Sequence, residues 1–201
     1  VGATWSQQDA AEIGRITGQG LSAMGVNLLL GPSLDVLDTP RPEAPGDLGT
    51  RSFGGNPYWV SVLGRAYIGG VHSGARGRIA VIAEHFPGHG GSDRRAEDEV
   101  ATVRRSLDEL KQIELAPFYA VTGGAGDDAL ALTDGLLTAH IRYQGFQGNI
   151  RESTRPISLD PTALQTLMAL PEFASWRQRG GVMVSDSLGV QAIKRFYSAL
   201  G

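Results

Sequence analysis

The sequence predicts an α/β fold in which parallel strands alternate with crossover helices. Segments with helical spacing of apolar residues alternate along the chain with four short apolar runs that are typical of buried strands. Strands that are separated by helices pair in parallel. Each strand ends in a polar residue, at Asp35, His85, His140 and Asp186. Because the carboxyl ends of parallel strands meet at one edge, we expect these four side chains on one face.

The order of elements does not distinguish a closed barrel from an open doubly wound sheet. Ligands bind beyond the carboxyl ends of the strands in both architectures. No Gly-x-Gly-x-x-Gly motif follows a strand, which argues against a dinucleotide-binding fold.

The composition is that of a globular protein, and it excludes several kinds of site and argues against one kind of partner. The 201 residues are 41% hydrophobic, 19% charged and free of cysteine, so disulfides, thiolate metal sites and a cysteine nucleophile are excluded. The net charge of -3 and the lack of basic runs argue against a nucleic-acid partner. No apolar run approaches the roughly 20 residues of a membrane helix. The chain starts at Val1, so we expect a soluble protein that is either cytoplasmic or exported after loss of an N-terminal segment.

The first half of the chain is predicted to hold two helices around one strand. Ser6 is a typical N-cap and Gly25 ends the first helix. The strand covers residues 26–30, and a Pro/Gly-rich loop covers residues 38–57, a length more often functional than accidental. Asn56 then caps the second helix. The first helix shows helical spacing of Ala10, Ile13, Ile16, Thr17, Gly20, Leu21 and Met24; the second has Val60, Leu63, Tyr67 and Val71 on one face.

The second half alternates in the same way. A capping box, Ser106 to Glu109, opens a helix that is expected to run to about Pro117. Asp160 caps another helix before Pro161. The remaining predicted elements are strands at 79–83, 136–139 and 181–185, a charged loop at 91–100, and a last helix carrying Val190, Ile193, Phe196 and Tyr197.

Two histidines stand on the turn that follows the 79–83 strand. His85 and His89 have the spacing of two helical zinc ligands, but Pro87 and Gly88 lie between them and prevent a helix. The pair can bind a metal from a loop, donate hydrogen bonds to a polar ligand, or brace the turn.

Each of the other candidate residues has two interpretations. Asp186 suits a nucleophile or general base, or an N-cap for the segment that follows. His140 is either functional or an ordinary histidine at a strand end. Arg51 can clamp an anion or a cluster of hydroxyls, or form a surface ion pair. The carboxyls of Asp93, Glu97, Asp98 and Glu99 most simply form a solvated acidic loop, and any one of them can alternatively serve as an acid/base, although the pattern does not identify which.

Together these residues resemble glycoside hydrolase family 3, particularly its bacterial β-N-acetylglucosaminidase branch. The resemblance implies a (β/α)8 TIM-barrel type catalytic domain and a retaining mechanism. It implies that Asp186 is the nucleophile, that Arg51 contacts the sugar, and that His85 binds sugar hydroxyls. The matching segments are GPSLDV at 31–36, TRSFG at 50–54, HFPGHG at 85–90, ELAPF at 114–118, TAHI at 138–141 and VSDSL at 184–188.

The sequence departs from the family pattern at two positions beside the turn. The family has a lysine where this chain has Glu84, which reverses the charge beside the sugar. The branch takes its acid/base from a histidine in the loop after the turn, and Glu97 occupies that position here. Glu97 would need burial to act as the acid/base. We also expect Glu84, His89 and His140 to contact substrate.

The pattern predicts about four strands, too few to close an eight-stranded barrel. Residues 1–201 are therefore expected to form the middle portion of a single catalytic domain, with the missing strands in the rest of the same polypeptide. A carbohydrate substrate and no cofactor are expected.

Two other functions remain open. One is a non-catalytic sugar-binding or scaffold relative that lacks the acid/base. The other is a metal-dependent barrel hydrolase that uses His85, His89, His140 and Asp186.

Overall fold

The computed structural model describes residues 1–43, 47–123 and 128–199, and it confirms an α/β fold with parallel strands. The strands are β1 (Leu28–Ser33), β2 (Ala80–Phe86), β3 (Thr102–Val103), β4 (Gly135–Thr138), β5 (Arg142–Tyr143) and β6 (Val182–Ser185). The helices are α1 (Gln7–Ala23), α2 (Pro57–Ala75), α3 (Leu107–Gln112), α4 (Ala116–Thr122), α5 (Gln144–Gln147), α6 (Pro161–Met168), α7 (Ala174–Gln178) and α8 (Gln191–Ala199).

The main sheet has four parallel strands in the order β1-β2-β4-β6. Leu29 is paired with Val81, and Leu136 is paired with Met183. Because every pair is parallel, the carboxyl ends of the four strands lie at one edge, as predicted. Within the described residues the sheet stays open at β1 and β6, so these four strands do not close a barrel. Strands β3 and β5 form a separate parallel pair.

Strand β2 is longer than predicted and includes the first histidine of the turn. The sequence suggested that the strand stops at Ala83, where the apolar run ends. The structure continues it to Phe86 because the neighbouring strands extend the pairing, with Ser33 opposite Glu84 and Thr138 opposite Phe86. His85 thus lies in the strand, while His89 lies beyond it.

The prediction of one helix from Ser106 to about Pro117 is wrong about where that helix ends. Ser106 and Glu109 do form the capping box, but α3 ends at Gln112 and α4 starts separately at Ala116. Pro117 explains the break, since it has no N–H for a continuing helix and its ring clashes with the preceding turn.

The first helix packs through its glycines rather than its larger apolar residues. A Cβ on Gly14 would overlap the carbonyl oxygen of Tyr67, and a Cβ on Gly70 would overlap that of Ala11. The backbones of α1 and α2 are therefore in direct contact. The helix itself is confirmed, but Ile13 and Ile16, which share its helical spacing, are exposed. None of the helices formed by the described residues is long and apolar enough to cross a membrane.

Candidate functional site

A buried carboxylate lies at the centre of the histidine turn. Asp35 follows β1 and is fully buried. Its Oδ2 atom is 2.8 Å from His85 Nδ1 and 3.2 Å from His89 Nε2, and it accepts a 2.7 Å hydrogen bond from the Ser33 hydroxyl. Its Oδ1 atom accepts the backbone N–H of His89 at 2.8 Å. One side chain from the β1 loop thus holds both histidines of the β2 turn.

The charges of this cluster stabilise one another. Burial would raise the pKa of Asp35, but His89 and His85 hold it well below its ordinary value. Burial also opposes protonation of His85, yet the Asp35 carboxylate outweighs it and the pKa of His85 rises to about 9. At neutral pH the pair is therefore a carboxylate and an imidazolium.

The turn after β2 is held in place by contacts with two other segments of the chain. Gly88 has a φ of 114°, a region that favours glycine, and its N–H donates to the His85 carbonyl at 2.6 Å. The hydroxyl of the buried Tyr143 donates to the Gly88 carbonyl at 2.5 Å. A Cβ on Gly88 would collide with the side chain of Glu114. The position of the turn therefore depends on β5 and on the segment between α3 and α4.

Glu114 is a buried acid beneath this turn. Its burial raises its pKa to about 8, although the nearby Arg105 works in the opposite direction. Arg105 Nε lies 2.9 Å from Glu114 Oε1, and its Nη2 donates to Asp38 at 2.6 Å. Neither Asp35 nor Glu114 was among the site residues predicted from sequence. The strand-end position pointed to Asp35, and the ELAPF segment that matched the family pattern contained Glu114.

Three of the predicted binding residues line one pocket at the carboxyl edge of the sheet. Arg51, Glu84 and His85 face a cavity of about 370 Å³. Burial raises the pKa of Glu84; His85 works against this rise, whereas the like charges of Asp35 and Asp186 add to it. Asp186 follows β6 at the same carboxyl edge of the sheet, outside the lining of this pocket. His89 is buried behind His85, with ring centroids 4.3 Å apart.

The predicted binding residue His140 is buried and holds the loop that carries Asp186. Its Nδ1 atom lies 2.7 Å from the Ser158 hydroxyl, and its Nε2 atom lies 3.1 Å from the Ser187 carbonyl oxygen. The Ser187 N–H in turn donates to Asp186 Oδ1 at 2.6 Å. His140 thus connects to the Asp186 carboxylate through a single residue, and both its ring nitrogens are occupied.

Glu97 lies at the surface, where it faces Arg51 and does not line the pocket of His85. Its side chain is 52% exposed, and its Oε1 atom is 3.9 Å from Arg51 Nη1. The burial that an acid/base role requires is not present in this arrangement, so that role stays a prediction.

One cluster among the described residues has the donor set of a metal site. Asp35, His85 and His89 offer ligand atoms that all lie within 4.8 Å of one another. This set differs from the predicted one, because His140 and Asp186 do not belong to it.

Comparisons with known proteins place the chain in a family. Residues 1–200 match the family model described as "Glycosyl hydrolase family 3 N terminal domain". A "Beta-hexosaminidase" of Pseudomonas aeruginosa is 30% identical over 138 residues, which are 69% of this chain and 37% of that protein. "Beta-hexosaminidase A" of Pseudoalteromonas piscicida is 25% identical over 98% of this chain and 32% of its own length.

A solved structure shows the same architecture. The glycoside hydrolase family 3 β-N-acetylglucosaminidase of Paenibacillus sp. str. FPU-7 superposes with a TM-score of 0.78 at 29% identity, covering 98% of this chain and 33% of that one. The TIM-barrel type is thereby confirmed. The chain spans about a third of the length of these relatives.

Proposed function

The chain belongs to glycosyl hydrolase family 3, and from that premise we propose that it carries the catalytic pocket of a retaining β-glycosidase. The substrate class we propose is β-N-acetylhexosaminides, because the similar proteins are named β-hexosaminidases. Residues 1–201 would belong to a single catalytic domain. Further strands of the same polypeptide would complete the sheet, which is open at β1 and β6.

The observation that carries this proposal is the pocket of Arg51, Glu84 and His85 at the carboxyl edge of the sheet, the same edge at which Asp186 follows β6. In a retaining glycosidase a carboxylate attacks the anomeric carbon and forms a covalent glycosyl-enzyme, which water then hydrolyses. Asp186 would be that nucleophile. Arg51 and protonated His85 would donate hydrogen bonds to sugar hydroxyls, and Glu84 would accept them.

Covalent trapping tests the nucleophile. A 5-fluoro N-acetylglucosaminide with a dinitrophenyl leaving group, which keeps the 2-acetamido group of the proposed substrate class, should leave a glycosyl adduct on the peptide that contains Asp186, detected by mass spectrometry. Asp186→Asn should give no adduct, whereas the matched control Asp9→Asn on the exposed start of α1 should react as the wild type does. An adduct on another residue would assign the nucleophile elsewhere.

The exposure of Glu97 favours a second candidate, a sugar-binding relative without an acid/base. Leaving-group dependence separates the two. A dinitrophenol leaves without protonation, whereas an alkyl alcohol needs an acid. If Glu97 is the acid, Glu97→Gln will turn over dinitrophenyl glycosides and lose alkyl glycosides. Sugar binding without turnover of either substrate by the wild type would establish the non-catalytic alternative.

A further inference from the structure

A second cavity lies on the other side of the segment that carries Arg51. It has a volume of about 430 Å³ and is walled by Trp5, Trp59 and Phe53. Trp5 meets Trp59 edge to face at 5.1 Å between ring centroids, and Tyr58 meets Trp59 at 5.5 Å. Trp5 is 57% exposed and Tyr58 is 65% exposed. We call the space that Trp5, Trp59 and Phe53 border the tryptophan cavity; Tyr58 extends the aromatic cluster outside it.

The fold places the tryptophan cavity on the same face as the strand ends. Helices α1 and α2 each precede a strand of a parallel sheet, so each starts at the carboxyl edge of that sheet. Trp5 stands just before α1, and Trp59 lies in the first turn of α2. The segment between them is shared: Arg51 lines the pocket with His85, whereas Thr50 and Ser52 line the tryptophan cavity.

The lining of this cavity suits an uncharged ring that carries hydroxyls. Hydroxyls of Thr50 and Ser52 and the amide of Asn56 border it, and no described lining residue has a charged side chain. A charged ligand would lose its hydration there and meet no side chain of opposite charge among the described lining residues. A pyranose ring presents C–H groups on its faces, which pack on aromatic rings, and hydroxyls on its rim, which need polar partners.

We propose that the tryptophan cavity is an additional sugar-binding subsite for neutral β-linked oligosaccharides. The inference rests on the proposed function in one respect, that the neighbouring pocket takes the terminal sugar. A chain that occupies both sites would be held on the two sides of residues 49–55, with its terminal ring beside Arg51 and a further ring against Trp5. The subsite would favour longer substrates over short ones.

Intrinsic fluorescence gives a direct binding test. The chain has three tryptophans, and Trp176 is buried at 2% exposure, so a ligand-induced change reports on Trp5 and Trp59. The titration uses Asp186→Asn to prevent hydrolysis, with chitotetraose as the probe. We expect a saturable change, and the added substitution Trp5→Ala should weaken binding about tenfold, or about 1.4 kcal/mol. The control Tyr197→Ala removes an exposed aromatic ring on α8 and should leave the affinity unchanged.

A ratio of rates provides the second measurement. In the enzyme that retains Asp186, Trp5→Ala should reduce kcat/KM for chitotetraose, relative to that for the single-ring substrate dinitrophenyl β-N-acetylglucosaminide, at least about fivefold, while Trp5→Phe restores the ratio. A partly unfolded variant loses both rates equally and leaves the ratio unchanged. An unchanged ratio, or an unchanged chitotetraose affinity in Trp5→Ala, would overturn the subsite. If no adduct forms on Asp186 but chitotetraose binding still depends on Trp5, the proposed function is overturned and the subsite is retained.

Discussion

Asp35 Oδ2 and His85 Nδ1 lie 2.8 Å apart and join the end of β1 to the end of β2. The contact has an electrostatic role beyond its geometry. Asp35 is fully buried, so its charge acts on His85 with little screening by water. The result is an imidazolium that stays charged to about pH 9 in the pocket that His85 shares with Arg51 and Glu84.

Replacing Asp35 by Asn should remove this charge. The pKa of His85 should fall from about 9 to near or below its ordinary value of about 6.5. A group whose pKa is raised by folding stabilises the protein fully below its unfolded pKa, and that stabilisation is lost as the pH rises through its folded pKa. The wild type should therefore lose of order 3 kcal/mol between about pH 6.5 and about pH 9 through His85.

Urea unfolding as a function of pH, with NMR titration of the His85 ring, measures both effects. Asp35→Asn should flatten the decline in unfolding free energy over that interval. Equal pH slopes in the two proteins would contradict the assignment.

Glu84 offers a test of charge inside the pocket. Its carboxylate helps to raise the pKa of His85, so Glu84→Gln should lower that pKa and Glu84→Lys should lower it further. If Glu84 binds sugar hydroxyls, Glu84→Gln should reduce kcat/KM about tenfold to a hundredfold, the range of a hydrogen bond to a charged group. Glu99→Gln, an exposed change on the 91–100 loop, is the control. Unchanged kinetics in Glu84→Gln would remove Glu84 from the binding site.

His140 should act on catalysis by positioning Asp186. His140→Ala leaves the Ser187 carbonyl without its donor, which should cost about 1–3 kcal/mol of stability. The rate of glycosyl-adduct formation on Asp186 should fall more than substrate affinity does. His140→Gln can donate to Ser187 again and should recover part of the rate, and Ser158→Ala should have the smaller effect. A trapping rate in His140→Ala equal to that of the wild type would show that the histidine is only structural.

His72 predicts a second pH effect at the opposite end of the sheet. Its Nδ1 atom is 2.7 Å from the Leu130 carbonyl oxygen and its Nε2 atom is 2.9 Å from Asp134 Oδ2. Both partners only accept hydrogen bonds, so the ring needs both of its protons. Burial lowers the pKa of His72, but these two acceptors outweigh it and the net shift is upward.

The contribution of protonated His72 to the free energy of unfolding should therefore be fully present below about pH 6.5 and should decline as the pH rises above that value. Asp134→Asn should reduce this decline in thermal unfolding measured from pH 5.5 to 8.5. Glu12→Gln, which breaks an exposed ion pair, should not. A decline of the same size in Asp134→Asn would place its origin elsewhere.

The contact between α1 and α2 can be tested with glycines of one helix. A Cβ on Gly14 would overlap the Tyr67 carbonyl, whereas a Cβ on Gly20 would meet no described atom within 4 Å. Gly14→Ala should destabilise the protein by about 1–3 kcal/mol through overpacking. Gly20→Ala should stabilise it by up to about 1 kcal/mol, because alanine is the better helix former. Denaturant midpoints measure both, and a stabilised Gly14→Ala would disprove the close contact.

The sequence predicted the features that depend on local patterns. Four apolar runs marked the strands, and their alternation with helices indicated parallel pairing with Asp35 and Asp186 at one edge. It did not predict the contacts between distant segments. The placement of Glu114 under Gly88 depends on the break at Pro117, and the role of His140 depends on Ser158 and Ser187. Such contacts come from the packing of distant segments, which the periodicity of apolar residues does not predict.

The glycines that let α1 and α2 touch have an effect at the far end of those helices. Two helices whose backbones are in contact cannot slide or rotate freely against each other, so Trp5 and Trp59 at their starts are held at a constant separation. A ligand that packs against these two rings, which already contact each other, does not have to order them first. Its affinity is then not reduced by the entropic cost that flexible aromatic loops carry. Loosening the contact at Gly70 or Gly14 should weaken sugar binding from more than one helical turn away.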